Sequence, residues 1–218
     1  MLPVCNFTCY RPVTPMSSRN SPTASVESKQ EGSVAPRERI VSCAAELFRK
    51  FGIRGIGVDA IAEAAHTNKM TLYRKFRSKD DLLCETLRQV TQRAMVFWTE
   101  LDQDDQKDAA AKLNSWVDFH VQRLEQEPGG CDLANAVVEL RDIAHPAYGV
   151  VQEFKTSQRD RLAALCTAAG ATDPNLLADT LSLLLEGARV NRQATGADGS
   201  SRRLRESCNA TIKAFAPS

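Results

Sequence analysis

The stretch Arg39–Leu83, RIVSCAAELFRKFGIRGIGVDAIAEAAHTNKMTLYRKFRSKDDLL, holds three helical signals in quick succession. Pro36, tolerated in a first helical turn, precedes Ile40, Ala44, Leu47, Phe48 and Phe51, which recur at helical spacing until Gly52 can end the run. After the linker Ile53–Gly57, Val58, Ile61, Ala62 and Ala65 mark a second, short helix. His66-Thr67-Asn68 reads as a tight turn, because His and Asn tolerate positive φ, and Asn68 is a good N-cap for a third helix carrying Thr71, Leu72, Tyr73 and Phe76. Two short helices joined by such a turn make a helix-turn-helix, here spanning about residues 57–76. Small Ala62 allows close approach, Ile61 and Leu72 anchor the pair to the first helix, and the opposite face of the third helix offers Lys69, Met70, Thr71, Tyr73, Arg74 and Lys75.

Charge follows the same division. The 218-residue chain is nearly neutral, with 28 Lys and Arg against 27 Asp and Glu. Residues 36–79 nevertheless carry ten basic and four acidic side chains, and residues 80–218 carry 15 and 21. A basic module on an acidic body invites a polyanion, and duplex DNA is the polyanion whose major groove admits one helix. Lys69 can donate to guanine, Met70 and Thr71 can touch a thymine methyl, and Tyr73 can reach a phosphate. Lys75 and Lys79 can neutralise phosphates, Lys79 beside the first amides of the fourth helix.

The remainder reads as helix. Residues 1–35, rich in Ser, Pro and Thr without an apolar period, read as a disordered tail. Ser78-Lys79-Asp80-Asp81 opens a fourth helix, with its stripe Leu83, Leu87, Val90, Ala94, Phe97 and Leu101. A fifth carries Leu113, Trp116, Val117, His120 and Leu124, and a sixth runs from about Asp132 to Ile143. A seventh spans about Ala147–Ala169, an eighth opens at Asp173-Pro174, and a ninth covers roughly Ser201–Phe215. The fold class is therefore all-α, with about nine helices. No apolar run is long enough to cross a membrane, and the start MLPVCNFTCYRP lacks the features of a secretory signal, so a cytoplasmic protein is expected. Seven cysteines, an odd number without a C-x-x-C pair, suggest neither a disulfide framework nor a zinc site. Three histidines without metal-ligand spacing predict no metal, and no cofactor motif is present. With no G-x-S-x-G, P-loop or H-E-x-x-H motif, the chain is not expected to be an enzyme.

The run A-x-x-L-F-x-x-x-G from Ala44, I-A-x-x-A from Ile61 and T-L-Y-x-x-F-x-S-K-x-x-L-L from Thr71 together resemble the DNA-binding domain of the TetR family of transcriptional regulators. That resemblance implies a DNA-binding domain at about 36–84, followed by an effector-binding and dimerisation domain at 85–218. It also implies a homodimer on a near-palindromic operator, and repression relieved by an unknown small molecule. The family usually places Thr or Ser before the second helix, where this chain has Ile56-Gly57, so Gly57 and the amide of Val58 are left to meet a phosphate. Asp59, near the expected DNA face, calls for a cationic partner such as Arg54. In the C-terminal part, helices eight and nine of such proteins pair between protomers, which points to Leu177, Leu181, Leu184, Leu185 and Ala188 as dimer contacts. A pocket among helices four to seven points to Trp98, Trp116, Phe119, His120, Cys131 and Asn135, although plain core packing is the simpler reading of the aromatic residues and of His120. Two alternatives stand beside this reading: a helical protein-interaction module without specific DNA binding, and a redox-responsive regulator using Cys84 or Cys131.

Overall fold

The computed structural model describes residues 35–126, 129–196 and 198–217; the expected disordered tail lies almost wholly outside them. Among the described residues every regular element is a helix: α1 (Pro36–Phe51), α2 (Val58–Ala64), α3 (Lys69–Lys75), α4 (Lys79–Gln103), α5 (Ala109–Gln126), α6 (Asp132–Leu140), α7 (Pro146–Ala168), α8 (Pro174–Thr195) and α9 (Ser200–Ala214). None is long and apolar enough to cross a membrane.

Local chemistry sets most of the boundaries. Pro36, Pro146 and Pro174 stand in first turns, where a missing N–H costs nothing. Asn68, Ser78 and Asp173 each accept a hydrogen bond from the backbone N–H three residues on, satisfying one orphan donor of α3, α4 and α8. Gly52 leaves α1 at φ 78°, a conformation that costs glycine little. The sixth helix is shorter than its sequence suggests. Arg141 takes the left-handed conformation at φ 54°, so α6 stops at Leu140 instead of reaching Ile143. His145 then caps α7 by accepting from the Ala147 N–H through Nδ1.

The apolar side chains collect into two cores. One joins α1, α2, α3 and the start of α4 to Leu133, Ala136 and Leu140 of α6 and to Ala147 and Val151 of α7. The other joins Trp98 and Leu101 of α4 to α5, the second half of α7, α8 and α9. The long helices α4 and α7 therefore run through both cores, and α6 packs with the N-terminal helices although it follows α5 in the chain.

Candidate nucleic-acid interface and effector cavity

The helix-turn-helix is built from the inside out. Ile61 and Leu72 are fully buried and Ala62 nearly so, which seats α2 and α3 on Ile40, Val41 and Ala44 of α1. His66 makes the turn at φ 49°, and the Thr67 N–H closes it on the Ala62 carbonyl at 2.9 Å. From α1, Arg39 Nε donates to the Ala65 carbonyl at 2.9 Å and Cys43 Sγ to the Ala64 carbonyl at 3.4 Å. These donors cover the C-terminal carbonyls of α2, where a cation also meets the negative end of the helix dipole. Neither residue belongs to the α2–α3 pattern, so this clamp leaves no signal in the spacing of the helix-turn-helix.

Facing outward on α3 are exposed Lys69, Tyr73, Arg74 and Lys75, half-buried Thr71, and Met70 at 83% exposure. Such exposure of a large apolar side chain is idle in a monomer and useful against a base edge. Lys69 Nζ lies 3.1 Å from Asp59 Oδ2. Asp59 is thus neutralised by Lys69 rather than by Arg54, whose guanidinium donates to the Leu140 carbonyl. Both members of the Lys69–Asp59 pair are exposed, so a phosphate or base can compete for the ammonium at little cost. Lys79 departs from its expected role. Its ammonium is bound to the Ile53 carbonyl and sits 5.9 Å over the Phe48 ring, so it braces the α1–α2 loop instead of standing ready for phosphate. Gly57 precedes α2 with extended backbone and no side-chain cap, and open space surrounds the point where a Cβ would stand.

Behind this module, α4, α5, α6, α7 and α8 enclose a cavity of about 630 Å³. Trp116, Phe119, His120 and Cys131 line it. Trp98 does not. It belongs to the second core, its indole N–H donating to Gln158 Oε1 at 2.6 Å, and Arg161 covers its ring. Asn135 faces a smaller cavity of about 220 Å³ between α1, α4 and α6, and its amide is tied to the Gly129 carbonyl. The apolar wall of the large cavity includes Phe97, stacked on Phe119 at 3.9 Å between centroids, and Trp116, edge-on to His120 at 4.4 Å. Its polar floor was not foreseen. Glu186 Oε1 receives Lys155 Nζ at 2.5 Å and Arg189 Nη1 at 2.8 Å. Burial works to raise the Glu186 carboxyl, but the two cations outweigh it and hold it below its ordinary value. His120 is pushed well below the usual histidine value, first by burial and then by Arg189, Arg123 and Lys155, so its ring is neutral. Its Nδ1 is buried without a hydrogen-bond partner.

The cavity and the helix-turn-helix share α6. Cys131, Asp132 and Leu133, at its start, are cavity wall. Asp132 also holds Arg49 of α1 through a two-pronged pair, with contacts of 2.9 and 3.1 Å. At the other end of the helix, Glu139 accepts the backbone N–H groups of Ile53 and Arg54 at 2.9 and 2.7 Å. Just beyond α6, His145 Nε2 meets Asp80 of α4 at 3.4 Å. With Nδ1 accepting from the Ala147 amide, Nε2 is the ring position left to face Asp80.

Residues 40–86 match the family model described as bacterial regulatory proteins, tetR family. The curated HTH-type transcriptional regulator YjdC of Escherichia coli is 25% identical over 167 residues, covering 74% of this chain and 87% of that protein. SCO4454, a TetR-family transcriptional regulator from Streptomyces coelicolor, superposes with a TM-score of 0.78 at 25% identity, covering 84% of this chain and 96% of that one. A putative tetr-transcriptional regulator from Streptomyces avermitilis is 30% identical, with a TM-score of 0.69 over 84% of this chain and 98% of its own. The chain belongs to the TetR family of transcriptional regulators.

As a TetR-family regulator it carries a DNA-binding helix-turn-helix, and the face expected to meet a second protomer can be checked against burial. Leu177, Leu181 and Leu185 lie inside the protomer, packed into the second core, and Leu184 and Ala188 rest half-buried on the same core. Leu177, Leu181 and Leu185 have almost no surface left for a partner subunit, while Leu184 and Ala188 keep part of theirs. The outward face of α8 is a different stripe: Leu176, Leu183 and Val190 are 52%, 73% and 63% exposed. Cys84 is buried, and burial pushes its thiol up, which suppresses the thiolate that redox chemistry needs. Cys131 is half-buried on the cavity wall.

Proposed function

We propose that this TetR-family regulator binds a near-palindromic operator as a homodimer, represses transcription there, and is released by a small molecule held in the 630 Å³ cavity. The observation that carries the reading is the outer face of α3. Its inner residue Leu72 is fully buried, while Lys69, Met70, Tyr73, Arg74 and Lys75 all stand exposed on one short cationic rod. Two such rods in successive major grooves require a two-fold dimer. On α8, Leu176, Thr180, Leu183, Gly187, Val190 and Ala194 follow one another in alternating steps of four and three, the spacing of a helix–helix seam. All but half-buried Thr180 are exposed, and a Cβ at Gly187 would meet nothing within 4 Å, leaving room for a partner helix.

The contacts of α6 support a route from effector to DNA. A molecule pressing on Cys131, Asp132 or Leu133 displaces the helix whose other end grips the Ile53 and Arg54 amides through Glu139. Shifting α6 therefore tilts the α1–α2 loop, and with it the reading head, while α4 carries the same movement along its length. A coupling of roughly 1–3 kcal/mol suffices to change operator occupancy 5–150-fold.

Selection of oligonucleotides from a random pool, followed by salt-titrated binding, tests the reading. Affinity for the selected duplex should fall steeply with salt, as phosphate contacts release counterions. Lys69→Ala should relax base preference at one operator position, whereas Tyr73→Phe should weaken all sequences alike. A protein that selects no sequence at low salt is not an operator-binding regulator.

A further inference from the structure

The charge inside the large cavity is more than a purely apolar effector would need. Six cationic side chains line it (Arg49, Arg93, Arg123, Lys155, Arg159 and Arg189), against two carboxylates, Asp132 and Glu186. Some of that charge is already answered, since Arg49 pairs with Asp132 and Arg159 with Asp179 on α8. The floor is different. Lys155 and Arg189 share the single carboxylate of Glu186. Arg189 gives it only Nη1, and its other guanidinium N–H groups have no acceptor among the described residues although the side chain is 20% exposed. Arg93 has no carboxylate partner among the described residues. The charged groups that act on His120 from α5, α7 and α8 are Arg123, Lys155 and Arg189, all cations.

We propose that the cavity takes a small organic anion, a carboxylate on an aromatic or apolar body, with its head on Arg189 and Lys155 and its body against Phe97, Phe119 and Trp116. The inference rests on the reading of the cavity as the effector site and adds the chemical class. A guanidinium with unspent donors in a partly dry site forms stronger, charge-assisted hydrogen bonds than it does in water, and the stacked Phe97–Phe119 pair supplies a flat apolar surface. A positively charged guest would have to displace one of these cations or sit beside them unpaired, which the same low dielectric makes costly. The cavity volume of about 630 Å³ lies within the roughly 300–1,000 Å³ of small-molecule sites.

Matched probes of one shape separate charge from shape. Naphthoate, naphthamide and naphthylmethylammonium, together with series of other aryl and straight-chain carboxylates, are titrated into the full-length chain by calorimetry and thermal shift. Carboxylates should bind, the matched amide should bind at least about tenfold more weakly, and the ammonium should not bind. Arg189→Gln and Lys155→Gln should each cost the carboxylate about tenfold or more and cost the matched amide less than that. Equal or tighter binding of the ammonium or the amide overturns the proposal. So does unchanged carboxylate affinity in either folded variant, or the absence of any carboxylate binding at millimolar concentration. Should both variants fail to fold, the charge series on the native chain decides alone. Because these titrations contain no DNA, failure of the operator reading shows up separately in the oligonucleotide selection.

Discussion

Single residues divide here into those whose role is legible from their neighbours in the chain and those whose role is not. Asn68 and Ser78 cap α3 and α4 because a short acceptor precedes each helix by one position, a purely local relation. Gly57 occupies the same kind of position without a side chain. Its extended backbone suits any residue and its surroundings are open. Gly57→Ser should therefore raise stability by about 0.5–1 kcal/mol, through a cap hydroxyl and a less flexible unfolded chain, and should tighten DNA binding without changing sequence preference. Urea unfolding and anisotropy on specific and random duplexes measure both effects. His120 is the opposite case. From sequence it is one polar interruption of an apolar stripe, and only its burial in the fold, reinforced by the convergence of Arg189, Arg123 and Lys155, makes it a neutral base. The unfolded chain takes up a proton near the ordinary histidine value and the folded chain does not, so the unfolded state binds more protons as pH falls. Stability should accordingly drop below about pH 6.5, by at most about 1.4 kcal/mol per pH unit, and His120→Gln should flatten that slope in denaturant titrations at pH 5–8.

At the scale of elements, helical periodicity located all nine helices among the described residues, and it identified α8 as a helix rich in leucine without saying which of its faces meets which neighbour. Two leucine stripes share that helix. The protomer's own core takes Leu177, Leu181 and Leu185, and Leu176, Leu183 and Val190 are left outside. A helix with apolar residues on both sides looks the same in sequence whichever stripe is internal, and α7 and α9 make the choice by packing against one of them. Leu183→Arg should thus give folded monomers, seen by sedimentation, with poor operator binding and little change in melting temperature. Leu181→Arg should instead unfold the protomer, because it places an unpaired charge in a fully buried position. If Leu183→Arg leaves a dimer intact, the seam is elsewhere.

The molecule as a whole is joined across its two cores by α4, α7 and the polar ties of α6. The expected change of domain near residues 84–85 falls inside α4, and the core beneath the reading head recruits Leu133, Ala136 and Leu140 from far along the chain. Glu139 is the sharpest of the ties, one carboxylate holding two backbone amides on the loop between α1 and α2. Glu139→Gln substitutes a donor for one acceptor and so loses one of these bonds. Hydrogen exchange at the Ile53 or the Arg54 amide, whichever loses its acceptor, should quicken by about tenfold or more, with the Leu72 amide unaffected. Unchanged exchange at both would mean that the loop is held by packing alone and that α6 does not set the position of the reading head.

The helix-turn-helix is legible in the sequence alone, because its spacing, its turn chemistry and its basic charge all lie within one short stretch and reinforce one another. Half of the cavity's aromatic wall could be read in the same way. The cationic floor, the inward face of α8, the buried place of Trp98 and the engagement of Lys79 with the Ile53 carbonyl could not. Each depends on side chains from helices distant in the chain meeting at one point. A periodic pattern reports which residues share a face of a helix; what that face is pressed against is decided by how the nine helices fill space together.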